Sequence, residues 1–337
     1  MQDELRVGTA VAKPGHVGRG HILYGEDAMR QPMGIPVIVV NGASVGPRLW
    51  INAGTHGDEA EGALAIFDLV QQVDPRDLHG AIVAVPMLNP AAFIAGARGD
   101  PLDTFSYDLN RVYPGRSDGY ATERLAAAHW AAMRGVCDLQ ISIHSGGEHS
   151  YLSHMTFAAD NGLELAGALG PSWRLVFGSA TGTGNPSSQL AAEGVPSVTV
   201  ELGGLCRTLT GEFSAIADEY VRCILNVLRH FKMLPGSAEY ASQWMLGYQI
   251  ALLAPASGLF VGHPDVRFEE PVESGQELAT IQDCFGDVVA RLCAPQDGVV
   301  FGLRSRPQVR AGEWCCFFGA IVATADDLRA LKAHRSR

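Results

Sequence analysis

The chain has 337 residues, with 25 Lys+Arg against 36 Asp+Glu for a formal charge of −11, and 47% of its residues are hydrophobic against 18% charged. This balance excludes a disordered chain and fits one large globular domain or two ordinary ones. The acidic surplus excludes a basic stripe for nucleic acid, and with only Lys13, Lys232 and Lys332 as lysines a lysine-dependent phosphate loop is excluded too. No stretch is long and apolar enough to suggest a membrane span. The acidic start, Met1–Arg6, does not read as a signal peptide. Seven cysteines, an odd number without a C-x-x-C pair, are expected to be reduced core thiols, and a cytoplasmic location follows as an expectation.

Residues 1–34 are expected to form an N-terminal β segment packed with the C-terminal region. From residue 35 to about 235, short apolar runs alternate with stretches of helical period, the pattern of an α/β domain with a mixed sheet flanked by helices. The spacing predicts strands over Pro36–Val40, Leu49–Ala53, Ala81–Pro86, Leu139–Ile143, Arg174–Phe177 and Ser197–Val200. It predicts helices over Glu59–Val73, Thr122–Val136 and Phe213–Phe231. Gly42-Ala43-Ser44-Val45-Gly46 matches a serine nucleophile elbow, but a strand rather than a helix follows, so it reads as a hairpin turn. Gly178–Gly184 is glycine-rich without a following Gly-Lys, so it carries no phosphate signal.

Three strand ends deliver residues that handle metals or protons. Leu49–Ala53 runs into Gly54-Thr55-His56-Gly57-Asp58-Glu59, where a histidine and a carboxylate three positions apart can meet one ion. Leu139–Ile143 delivers His144 into Ser145-Gly146-Gly147. Ser197–Val200 delivers Glu201 into Leu202-Gly203-Gly204. Each alone has a plainer explanation: a helix-start acid beside a surface histidine, a satisfied core histidine, a partner for an arginine. Together they form the pattern of a site, since ligands of α/β sheets gather at carboxyl ends of strands. Asp108-Leu109-Asn110-Arg111-Val112-Tyr113-Pro114-Gly115 adds an amide and a forked guanidinium suited to a carboxylate. His149 and His154 lack a paired acidic motif, so they are expected to line the pocket or the surface rather than hold a second ion.

From about residue 240 to 325 the texture changes to short strands and Gly/Pro turns. Ala254–Phe260 is echoed by Ala294–Val300, and Val272–Gln276 by Val309–Glu313, which suggests a pseudo-symmetric β-sandwich or barrel. The region resembles a lipoyl-type carrier fold, but the turn Gln282–Asp287 has no lysine to modify. A wall of the active site or an assembly surface is the expected role.

His56-Gly-Asp-Glu59, Asn110-Arg111 with its Tyr-Pro-Gly turn, Ile-His144-Ser-Gly-Gly and Val-Glu201-Leu-Gly-Gly resemble, in order, the succinylglutamate desuccinylase/aspartoacylase family, a zinc-carboxypeptidase-like branch. Within it the strings look most like deacetylases of N-acetyl-2,4-diaminobutyrate. The resemblance implies one zinc ion per chain held by His56, Glu59 and His144, with Glu201 as general base and acid. It also implies Asn110 and Arg111 on a substrate carboxylate, and Arg98 near the oxyanion. The implied partner is a small N-acyl amino acid, and a homo-oligomer is plausible on the apolar fraction. Ser142 stands where the family usually has Asp, leaving open what orients His144. The rival readings are a peptide-trimming metallocarboxypeptidase and a zinc-binding assembly protein without turnover.

Overall fold

The computed structural model describes residues 2–205 and 211–334. The chain begins with β1 (Leu5–Val7), β2 (Ala10–Ala12), β3 (His16–Glu26), β4 (Pro32–Asn41) and β5 (Ser44–Asn52). Next come α1 (Glu61–Gln72), β6 (His79–Val85), α2 (Pro90–Ala95), α3 (Ala121–Met133), β7 (Leu139–His144) and β8 (Ser150–Ala158). α4 (Leu163–Gly167), β9 (Leu175–Gly178), α5 (Pro186–Ala192), β10 (Ser197–Gly203) and α6 (Glu212–His230) complete the first part. The remainder is β11 (Trp244–Leu253), β12 (Gly258–Gly262), β13 (Pro271–Val272), β14 (Glu277–Gln282), β15 (Val288–Cys293), β16 (Gly298–Arg304), β17 (Gln308–Val309), β18 (Trp314–Ala325) and α7 (Leu328–Ala333).

One twelve-stranded mixed sheet runs β13-β16-β18-β11-β9-β8-β10-β7-β5-β6-β4-β3. At its centre β10, β7, β5 and β6 are mutually parallel, and their apolar runs are buried on both faces. Leu49, Ile51, Ile141 and Ile143 pack on one face against Ile66 and Leu69 of α1 and Ile224 and Val227 of α6. Trp50, Val83 and Val85 pack on the other against Leu125 and Met133 of α3. Alternate residues of one strand thus serve two cores, and each Leu or Ile buried this way contributes about 1.5–3 kcal/mol. α6 buries Ile216, Tyr220, Ile224 and Val227 at helical spacing while its other face stays in water.

The expected packing of residues 1–34 against the C-terminal region is corrected by this order. β3 pairs antiparallel with β4 and occupies the sheet edge opposite β13 and β16. Val7, Ala10, Ala12 and Ile22 bury against Ile35, Val37 and Val39. The turn Gly42–Gly46 is not a hairpin either: β4 and β5 flank β6 instead of pairing with each other. Four of the described cysteines are buried, Cys284 and Cys293 are exposed, and Cys206 lies outside the described residues.

The C-terminal strands do not stand apart from this sheet. β8 pairs with β9, β9 with β11, β11 with β18, β18 with β16, and β16 returns to β8, so five strands close a ring. Leu152, Met155, Phe177 and Phe301 fill it. A second sheet, β15-β14-β12-β17, covers Leu252, Val300 and Phe318 with Phe260, Leu278 and Ile281. The sequence echo has a structural counterpart: β12 of one copy pairs with β17 of the other, and β16 with β13. No helix among the described residues is long and apolar enough to cross a membrane.

Candidate metal and catalytic site

β5, β7 and β10 are consecutive neighbours in the sheet, and the three predicted residues leave their carboxyl ends together. Glu201 stands in register with His144, and Asn52 with Ser142. α1 begins at Glu61, two residues later than the periodicity predicts, so Glu59 sits on the turn from His56. Gly57 permits that turn: a Cβ there would collide with the backbone of Ala92.

Glu59 lies between two imidazoles, its Oε1 2.7 Å from His56 Nδ1 and its Oε2 2.9 Å from His144 Nδ1. One donor atom from each of the three residues falls within 4.8 Å of the others, and all three residues are buried. Two imidazole nitrogens and one carboxylate brought this close fit a zinc-sized ion. Burial disfavours the Glu59 carboxylate, but the two histidines outweigh that and hold its pKa well below the usual range. Burial likewise opposes charge on His56, yet Glu59 and Asp108 lift it to about 9, whereas burial wins at His144 and lowers it.

The outer nitrogens of both histidines are held. His56 Nε2 is 3.2 Å from Asp108 Oδ1, and the same carboxylate accepts from Arg98 Nε at 3.1 Å. His144 Nε2 is 3.1 Å from Ser142 Oγ, which accepts from Asn52 Nδ2 at 2.8 Å, and Asn52 Oδ1 accepts from Gln140 Nε2 at 2.7 Å. A hydroxyl can accept from Nε2–H, leaving Nδ1 to face Glu59. Ser142 therefore orients His144 through a neutral buried chain instead of a carboxylate. Ser142→Ala is expected to weaken zinc binding by roughly 10–100-fold with the fold intact, read by competition with a chromogenic chelator; unchanged affinity would remove the chain from the site. The Tyr220 hydroxyl donates to the His144 carbonyl and braces the strand end from α6.

Glu201 is half-buried beside this cluster. Burial first, then the negative charge of Glu59, lift its carboxyl to about 8, while His56, Arg98 and Arg111 pull the other way. Arg98 Nη1 lies 3.8 Å from Glu59 Oε1, so the loop after α2 brings this guanidinium to the cluster. Asn110 and Arg111 sit on a short 3₁₀ turn capped by Asp108, whose side chain accepts from the Asn110 amide. Arg111 is exposed and donates to the Asn110 carbonyl, and no carboxylate forms an ion pair with it among the described residues. Asn110 Oδ1 is buried without a partner. A cavity of about 360 Å³ joins His56, Glu59, Arg98, Asn110, Arg111 and Glu201, and β8 contributes Leu152, Met155 and Phe157 to its wall. Gln249 of β11 and Phe317 of β18 complete the lining from the C-terminal region.

Asp108, Asn52 and Gln140 carry no role that sequence reasoning identified. Asp108 was legible only as part of a turn, because its reach to His56 is a tertiary contact. His154 lies outside the cavity lining, between Glu219 Oε1 at 3.6 Å and Glu269 Oε1 at 3.4 Å, its ring edge-on to Trp173. Arg222 backs Glu219 and Arg174 backs Glu269. Burial opposes the imidazolium, but the two glutamates lift it from 6.5 to about 9. A raised histidine pKa stabilises the fold fully below about 6.5 and ceases to as pH rises through 9. His154→Gln is accordingly expected to lower Tm by roughly 2–4 °C near neutrality, and the gap should close above pH 9. A gap independent of pH would sink this reading.

This α/β sheet gathers two histidines and two glutamates beside the Arg111 guanidinium, at the carboxyl ends of adjacent strands where open α/β sheets bind their ligands. The chain belongs to the succinylglutamate desuccinylase/aspartoacylase family, whose catalytic-domain model matches residues 45–231. It is 30% identical over 307 residues to the N-alpha-acetyl-L-2,4-diaminobutyric acid deacetylase of Halomonas elongata, covering 86% of each chain. A succinylglutamate desuccinylase structure from a Silicibacter species superimposes with a TM-score of 0.80 at 25% identity, over 95% of this chain and 98% of that one. The product-bound ectoine utilization protein EutE from Ruegeria pomeroyi superimposes with a TM-score of 0.79 at 23% identity, over 95% and 100%. At that identity the second likeness speaks for the fold.

Proposed function

We propose that the chain is a zinc-dependent deacylase that cleaves the amide bond of a small N-acyl amino acid, releasing a carboxylic acid and the free amino acid. The observation that carries this reading is the shared carboxylate of Glu59 between His56 and His144, with Glu201 one strand away. A zinc ion held by His56, Glu59 and His144 would leave one coordination position open and supply Lewis-acid polarisation with acidification of water.

The remaining roles belong to the protein. Glu201 takes a proton from the attacking water as its oxygen bonds to the acyl carbon, and delivers that proton to the amide nitrogen as the C–N bond breaks. Desolvation and Glu59 raise the proton affinity of its carboxylate, which strengthens it as the base in the first half. Arg98, anchored by Asp108, faces the negative charge that develops on the carbonyl oxygen. Arg111 and the Asn110 amide hold the substrate carboxylate. Membership of the family supports small acylated amino acids as the substrate class.

The test is metal analysis of the purified protein together with hydrolysis of a panel of N-acyl amino acids with and without a chelator. About one zinc per chain and chelator-sensitive release of amino acid are expected; a metal-free protein that hydrolyses none of the panel would overturn the proposal. Arg111→Ala should raise KM for carboxylate-bearing substrates by roughly tenfold or more with a smaller change in kcat. An equal loss on neutral amides would remove its anchoring role.

A further inference from the structure

The charges lining the cavity are few and already spoken for. Glu59 is shared by two histidines, Glu201 lines the same cavity as Glu59, Arg98 and Arg111, and Arg111 is the guanidinium there without an ion pair among the described residues. Away from that centre the polar wall is Ser179, Asn185, Thr199 and Gln249, all uncharged. Thr199 donates to Ser187 and Asn185 is tied to Thr183 and Ser188, so their groups have partners. The Gln249 amide has no hydrogen-bond partner among the described residues and is half-buried at the wall. Residues 206–210 and 335–337 contain no carboxylate side chain, so the described residues already include every Asp and Glu the chain could offer here.

A substrate ammonium entering this cavity would lose water without gaining a counter-charge, whereas a neutral group would lose little and could meet the Gln249 amide. We propose that the site selects N-acyl amino acids whose side chain is uncharged and excludes cationic ones, with Gln249 of the C-terminal β-region as the residue that sets this preference. The inference rests on the reading of the cavity as an N-acyl amino acid site, and it separates this chain from the diaminobutyric acid deacetylase it resembles, whose substrate carries an amino side chain.

The test compares N-α-acetyl-L-2-aminobutyrate with N-α-acetyl-L-2,4-diaminobutyrate, which differ at the side-chain end by one ammonium. Their binding is measured by calorimetry on zinc-loaded Glu201→Gln protein, and their kcat/KM on the wild type. The neutral ligand is expected to bind tighter, and to be turned over more efficiently, by roughly tenfold or more. Gln249→Glu should shrink that ratio in both measurements by supplying the missing counter-charge. Equal or tighter binding of the cationic ligand overturns the proposal, as does a ratio that Gln249→Glu leaves unchanged. Selective binding of the neutral ligand without wild-type turnover supports the selectivity and overturns the deacylase reading instead. Failure of both ligands to bind overturns both.

Discussion

Glu201→Gln is expected to lower kcat by roughly 10²–10⁴-fold while zinc stays bound at the wild-type stoichiometry. The amide has the shape of the carboxylate but cannot accept and return a proton. The strand that carries it also carries Val198 and Val200 into the core, so an isosteric change leaves packing untouched. Desolvation and the charge of Glu59 favour the uncharged form of this carboxyl, and the neutral amide preserves that form, so the melting temperature should not fall. Steady-state hydrolysis and metal analysis on the same preparation give both numbers. Turnover near the wild-type rate would exclude Glu201 as the base. Loss of zinc would place it among the ligands.

Glu59→Ala should have the opposite signature, with zinc no longer co-purifying and kcat/KM falling by at least on the order of 10³-fold, the scale that follows loss of a principal electrostatic stabiliser. Glu59 also accepts from the Ser145 amide and lies within reach of Arg98, so its removal leaves two buried imidazoles and an amide without their shared acceptor. The metal-free protein is therefore expected to lose about 3–5 kcal/mol of stability, as when one partner of a buried charged pair is deleted. Glu61→Gln is the control two residues on. That side chain accepts from Ser145 Oγ and the Gly204 amide and faces no other ligand candidate, so zinc should remain. Stoichiometric zinc in the Glu59 variant would dismantle the proposed centre.

The central strands were legible because Leu49–Ile51 and Leu139–Ile143 are apolar runs that end on chemistry-bearing residues, a combination that buried parallel strands require. β8 escaped because Ser-Tyr-Leu-Ser-His-Met-Thr-Phe-Ala has no clean alternation. It buries Leu152 and Ser153 in succession, where its register against β10 shifts between Glu201 and Gly203. α5 escaped because a seven-residue helix of Pro, Ser, Gln, Ala and a single Leu shows little periodicity, and its Asn185 cap is the only strong local signal. The partner of residues 1–34 could not be read at all, since alternation names the buried face of a strand but not the strand beside it. The same limit separates the histidines, which the sequence identifies, from Asp108 and the Gln140–Asn52–Ser142 chain that hold them in place.

The ring of five strands also fixes an order of events during synthesis. β8 and β9 are made early, yet their pairing is complete only when β11, β16 and β18 arrive, and Tyr151 must wait for Leu303. Until then the nascent chain carries open strand edges next to the residues that will line the cavity, the condition that favours association with other chains. The sheet that carries the site is therefore closed only once β11, β16 and β18 have been made.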